Sequence, residues 1–187
     1  MKPQGFIFDK FWREQCEVVE VKRQDVDRMI KTHYLKKWPG VCVLILAMRI
    51  HGHFVGTIVY ALPPAQTCVR YGGETWELAR LWLEDWMPKN AETWLIGKSV
   101  KWIRQKHPTV HTLVSYADPS FGHQGTIYKA ANWQIDGRTD DDRKSPRVDY
   151  ADAITGKIYS RRSHVPIGTE IKRVSRVSKF RYVYRLR

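Results

Sequence analysis

The stretch TLVSYADPSFGHQGTIYKAANW (112–133) sets an acid, an imidazole and a phenol within eleven residues: Asp118, His123 and Tyr128. Asp118 follows a short apolar run that reads as a strand, and strand ends are where α/β sheets present ligands. A carboxylate there accepts a proton if burial raises its pKa; the competing reading is an Asp-Pro turn or a helix cap. His123 lies between Gly122 and Gly125, which would let the loop pass close to a ligand and offer it backbone amides. Tyr128 falls on the helical spacing that follows, with its phenol either facing a ligand or packed in the core. Asn132 could hold a ligand edge through its amide, or cap the same helix.

Two further groups carry chemistry. Arg80 stands in the apolar run ELARLWLED (77–85). A buried guanidinium needs an anion, so a phosphate, a carboxylate ligand or a structural acid is required, with Glu77 the nearest structural partner. His33 and Tyr34, in THYLKKWP (32–39), would with Asp118 supply an imidazole, a phenolate and a carboxylate suited to iron or another transition metal. The plainer reading of that pair is packing at a helix end.

Positioning these groups requires a sheet with helices on it. CEVVEVKR (16–23) alternates as a strand does, and QDVDRMIKTHYL (24–35) has helical spacing. Residues 40–64 read as a β-hairpin broken at His51-Gly52-His53, and 74–85 as an interior strand buried on both faces. Residues 90–107 read as a helix ended by His107-Pro108, followed by a strand over VHTLVSY and a helix over 125–133. A strand, helix, strand unit in the middle implies parallel neighbours and a right-handed crossover. The expected class is α/β: a mixed sheet flanked by helices. Residues 1–137 are expected to form the catalytic core. Residues 138–187 are expected to form a polar loop, extended over 138–156, and a basic strand-rich segment that completes the sheet and binds DNA.

Composition agrees with one domain of 187 residues. Its longest apolar run, VCVLILAM (41–48), is too short to span a bilayer. The cysteines Cys16, Cys42 and Cys68 lack C-x-x-C spacing and read as reduced. The formal net charge is +13, and residues 157–187 hold ten cations against the single acid Glu170. Lys157, Arg161, Arg162, Lys172, Arg173, Arg176 and Lys179, interleaved with aromatic residues, have the character of a surface that follows phosphates. Nucleic acid is the expected partner, no membrane is, and a homodimer is one arrangement open to the chain. Trp38, Trp82, Trp86, Trp94 and Trp133 are candidates for an aromatic wall against a flipped base.

The element order resembles the GNAT N-acyltransferase fold. The hairpin with Gly52 and Gly56, the ELARLWLED strand with its following helix, and the YKAANW helix match that family's second and third strands, cofactor strand and closing helix. The family's Gly-rich turn holds the coenzyme A pyrophosphate at a helix N-terminus. Here it is replaced by WMPKNAETWLIGK (86–98), glycine-free until Gly97, where Asn90 and Thr93 are the candidate cofactor contacts. ELARLWLED, PKNAETWLIGKSVKWI, SYADPSFGHQGTIYKAANW and THYLKKWP are together similar to the Mom DNA-modification proteins of phage Mu and its relatives, over about residues 30–135.

That resemblance implies an enzyme converting the exocyclic amine of adenine to a carbamoylmethyl amine, protecting phage DNA from restriction in the cytoplasm of an infected or lysogenic host. It places the family positions on His33, Tyr34, Arg80, Thr93, Asp118 and Tyr128. Acetyl-CoA or a related acyl donor, and iron, are the cofactors to consider; the donor is unknown. Such a product joins nitrogen to a methylene carbon, which plain acyl transfer does not do. Two further functions compete: a coenzyme A-dependent acyltransferase acting on protein or RNA amines, and a non-catalytic DNA-binding protein.

Overall fold

The structure is a computed structural model that describes residues 12–145, 147–159 and 164–186. A hairpin of β2 (Cys42–Ile50) and β3 (His53–Ala61) anchors it. Its two-residue turn has positive φ at His51 (46°) and Gly52 (83°). That conformation matches the twist of antiparallel strands. β1 (Cys16–Glu20) pairs with β2, and β4 (Glu74–Leu83) pairs with β3, both antiparallel. α3 (Ala91–Lys106) then crosses over to β5 (Val110–Ala117), which lies parallel to β4. The mixed sheet expected from the sequence is therefore present.

The last strand of the chain, β10 (Phe180–Arg185), inserts between β5 and β6 (Gln134–Arg138), giving seven strands in the order β1-β2-β3-β4-β5-β10-β6. Between them in sequence lies a separate three-stranded sheet of β7 (Val148–Asp152), β8 (Ile158–Tyr159) and β9 (Ile171–Ser175), in the order β8-β7-β9. The expectation of an extended loop over 138–156 is thus corrected: its second half is β7 and the turn after it.

Both faces of the hairpin are covered. Leu44, Leu46, Met48 and Ile50 of β2 share a core with Leu95, Ile96, Val100 and Ile103 of α3. Ala47, on the opposite face, packs with Val26 and Met29. Met29 belongs to α1 (Asp27–Thr32), shorter than the helix expected over 24–35, so His33 and Tyr34 lie just beyond its end. A short helix the periodicity does not reveal, α2 (Ala65–Tyr71), joins β3 to β4, and α4 (Thr126–Ala130) follows β5. Among the described residues no helix is long and apolar enough to cross a membrane.

Two irregularities of β4 create the site. Val59 of β3 faces Arg80 while Tyr60 faces Leu78. Ala79 is therefore an extra residue, and β4 is bulged there. β4 and β5 pair from Glu74↔Val110 only to Glu77↔Val114. Beyond that point β4 stays with β3 to Leu83 and β5 stays with β10 to Ala117, so the two parallel strands separate.

Candidate active site

A cavity of about 500 Å³ fills the gap between the diverging strands. Glu77, Leu78, Arg80 and Leu83 of β4 line one side, and Tyr116, Ala117 and the 122–128 loop and helix line the other, with His33, Tyr34 and Lys179. A regular strand would point Glu77 and Arg80 to opposite faces. The extra residue at Ala79 shifts the alternation by one, and both reach the cavity.

Glu77 carries no hydrogen bond or ion pair among the described residues. Burial pushes its carboxyl up to about 7, against the partial opposition of Arg80 and Lys179. From sequence it is only a structural partner for Arg80, yet Arg80 is held otherwise. The Arg80 guanidinium donates to the carbonyls of Lys37 (2.8 Å) and Ala79 (2.6 Å), which fixes it at the wall.

Asp118 behaves differently from its expected role. Burial raises its carboxyl, but the Ser120 hydroxyl (2.5 Å) and the Lys179 ammonium (2.9 Å) outweigh this and hold it below the usual range. It also accepts from the Ser120 backbone N–H at 3.0 Å, capping the turn that follows. A carboxylate so satisfied is a weak base. Lys179 lines the cavity as the partner of Asp118.

Tyr128 is buried, with burial pushing its phenol up to about 12, so it stays protonated across the physiological range. Its hydroxyl shares a 2.8 Å hydrogen bond with Ser115 Oγ, which also donates to the Leu78 carbonyl at 2.8 Å. Tyr34 stands at the centre of an aromatic group at the cavity. Ring centroids of His33, Phe121 and His123 lie 4.3, 4.8 and 4.9 Å from its own, and Phe121 is 53% exposed. This group, rather than tryptophan, supplies the aromatic surface. Trp94 packs on Trp12, Trp38 donates to Asp27, Trp133 stacks on Tyr128, and among the described residues no tryptophan lines the cavity.

The expected metal set does not assemble. His33 Nδ1 accepts from the Leu35 N–H at 3.1 Å, and burial lowers its pKa to about 4. Asp118 is engaged by Ser120 and Lys179. Among the described residues no group of three or more His, Cys, Asp or Glu could hold a metal ion. These residues do not fit an iron centre.

The turn expected to contact a cofactor leads into α3. Asn90 precedes α3 with φ 70° and makes no side-chain cap, and the Ala91 N–H is taken by the Pro88 carbonyl at 3.1 Å. Glu92, not Thr93, lines the cavity from the first turn of α3. Glu92 adds a negative charge in the first turn of α3, at the positive end of the helix dipole.

The remaining expected contacts divide. His123 lines the cavity. Asn132 is exposed beyond α4 with φ 62°, donating its backbone N–H to Lys129, and is not at the site. Gly125 is demanded less by a ligand than by Tyr182: a Cβ there would overlap the tyrosine ring, and φ is +73°. Only glycine takes up both constraints without strain. Arg176 is paired with Asp149 and so is not a free phosphate contact. Lys157, Lys172 and Arg173 are exposed on the small sheet and its turn. Arg161 and Arg162 lie outside the described residues.

Comparison with solved structures gives the fold. The ribosomal-protein-S5-alanine acetyltransferase of Vibrio fischeri superposes with a TM-score of 0.56 at 9% identity, covering 96% of this chain and 95% of that one. An acetyltransferase of Bacillus subtilis, solved in complex with CoA, gives 0.52 at 10% identity, covering 91% and 97%. At such identities the likeness establishes a GNAT-like fold, as expected. Among curated proteins, the methylcarbamoylase mom of Escherichia phage Mu is 41% identical over 61 residues, 33% of this chain. That match takes in only 25% of the phage Mu protein's length. The family model described as the Mom protein family matches residues 15–187, nearly the whole sequence, and the chain therefore belongs to the Mom protein family.

Proposed function

We propose that the chain is a DNA-modification transferase that attaches a carbamoylmethyl group to the exocyclic amine of adenine. The observation that carries this reading is the cavity between β4 and β5, which joins an unpaired, desolvated carboxylate, a protonated phenol and an exposed aromatic surface. The adenine amine is a poor nucleophile because its lone pair is delocalised into the ring. Glu77, with a pKa near neutrality, accepts the amine proton as nitrogen attacks. The new bond forms from nitrogen to a methylene carbon while the bond from that carbon to its leaving group breaks. Tyr128 donates a proton to the leaving group, and Arg80 offsets negative charge that develops there. Asp118 and Lys179 position this wall of the cavity rather than titrate.

The target base is out of reach inside a duplex and must be swung out, with Tyr34 and Phe121 as the surface on which it stacks. No step is assigned to coenzyme A, and the group donor is left open. Double-stranded DNA is the substrate, and the protein acts in the cytoplasm of a phage-bearing cell. Mass spectrometry of nucleosides from plasmid DNA of cells expressing the protein, beside a Glu77→Gln control, tests this. A modified adenosine in the wild-type sample alone is expected; unmodified adenine in both samples would sink it.

A further inference from the structure

The small sheet is an arm with a distinct far end. Its root is where Arg176 N–H meets the Arg147 carbonyl at 2.9 Å and Val148 pairs with Ser175. From there β7 and β9 run to the pair Asp152 and Ile171. At the ordinary rise of a strand that end lies roughly 14 Å from the root. The root is continuous with the cavity. Ser178 donates to Asp140, Thr139 N–H donates to the Lys179 carbonyl, and Lys179 itself lines the cavity.

Four isoleucines belong to the far end: Ile154 and Ile167 in its turns, and Ile158 and Ile171 on opposite faces of its last rows. All are exposed, Ile154 by 88%, and Ile167 is fully exposed. The two turns that present Ile154 and Ile167 are ordered by their own hydrogen bonds. Asp152 Oδ1 accepts from Ile154 N–H and Thr155 N–H, each at 2.9 Å. Thr169 N–H donates to Pro166, and Ala153 N–H donates to Glu170 at 2.8 Å, which ties the turns side by side. Lys157, Lys172 and Arg173 surround this tip, and none is ion-paired among the described residues. Lys172 shares a cross-strand row with Ile158 through Ala151.

A preorganised apolar tip ringed by exposed cations, of which Lys157 rests over the Tyr159 ring at 5.1 Å, has no reason to be exposed unless something covers it. Charge complementarity and continuity with the cavity favour a polyanion on which that cavity acts. We infer that residues 148–159 and 164–175 are a DNA-gripping arm: its cations hold phosphates, and Ile154 and Ile167 wedge between base steps. Such wedges unstack and kink a duplex. The arm would therefore lower the cost of delivering a base to the cavity. This inference rests on reading the cavity as a nucleobase site.

The test uses the full chain and a duplex carrying 2-aminopurine at an adenine position, whose fluorescence rises on unstacking. Wild-type protein is expected to raise it. Ile154→Ala/Ile167→Ala is expected to bind within about threefold of wild type yet lose at least four-fifths of the fluorescence rise. Lys157→Ala/Lys172→Ala/Arg173→Ala is expected to weaken binding at least tenfold and to reduce the salt dependence of log K by about 2.7. Unchanged melting temperatures of these surface variants keep the comparison valid.

Wild-type behaviour in both variants would overturn the inference. So would tighter binding of the arm's cations to phosphatidylserine vesicles than to the duplex, or a dimer in ultracentrifugation that dissociates in the isoleucine variant. Fluorescence is read without turnover. A wild-type protein that unstacks the base but yields no modified nucleoside would refute the proposed chemistry and leave the arm standing.

Discussion

Replacing Glu77 by Gln should make the protein more stable and nearly inactive, a combination that loss of a structural contact would not produce. The Glu77 carboxyl is raised from 4.5 to about 7 by burial. A group whose folded pKa lies above its unfolded value carries no penalty below pH 4.5, where both states are neutral. As pH rises from 4.5 to 7 the unfolded chain ionises first, so stability falls, and above pH 7 the full penalty stands. That penalty is about 3 kcal/mol at 1.36 kcal/mol per pKa unit. Gln lacks the ionisation and keeps the shape. Glu77→Gln should therefore melt on the order of 6–12 °C higher at pH 8, by the scaling for a domain of this size, and at the wild-type temperature near pH 4. Loss of a general base should at the same time cut the modification rate about 10²–10⁴-fold. The assay pairs calorimetry at the two pH values with nucleoside mass spectrometry. A variant that is destabilised at pH 8, or that modifies DNA within a few-fold of wild type, would refute Glu77 as the desolvated base.

Four further outcomes follow from the geometry. The wild-type rate should rise with pH through about 7 as Glu77 deprotonates and then stay level to pH 10, because the Tyr128 phenol, raised to about 12, keeps its proton; a fall below pH 9 would contradict this. Tyr128→Phe should lose rate while DNA affinity holds, since Ser115 keeps its bond to the Leu78 carbonyl; equilibrium binding beside single-turnover rates checks it. Asp118→Asn, which releases Lys179, should cost about 1–3 kcal/mol and slow modification less than Glu77→Gln does, as read by denaturant melts and rates. Gly125→Ala puts a methyl against the Tyr182 ring at a positive φ; it should cost about 2 kcal/mol, and a melt within about 0.5 kcal/mol of wild type would count against that packing.

The sheet and its order were legible because long β-branched runs, a His-Gly turn and a clear helix between two strands all pointed one way. The cavity wall was less so. A bulge at Ala79 changes which residues of ELARLWLED share a face, and neither alternation nor spacing announces a bulge, so Glu77 looks in sequence like a mere partner of Arg80. The one available signal was a carboxylate in an otherwise apolar strand. Asp118 is found by its place at a strand end, but its lowered pKa depends on Ser120, two residues on, and also on Lys179, sixty-one residues further on, which only the tertiary fold brings to it. The same holds for Tyr34 and Phe121, whose stacking joins two distant loops, while the tryptophans that look suited to a base are largely packing residues. The small sheet stays hidden because its strands are short and polar, and β7 and β9 pair across 19 to 27 residues of sequence.

Nucleoside mass spectrometry of plasmid DNA from cells expressing the wild-type chain and Glu77→Gln bears most directly on whether the cavity between β4 and β5 modifies adenine. A carbamoylmethyl-adenosine in the wild-type digest that drops at least a hundredfold in the Gln variant is the expected result. Unmodified adenosine from the wild type, or equal modification from both, would contradict it.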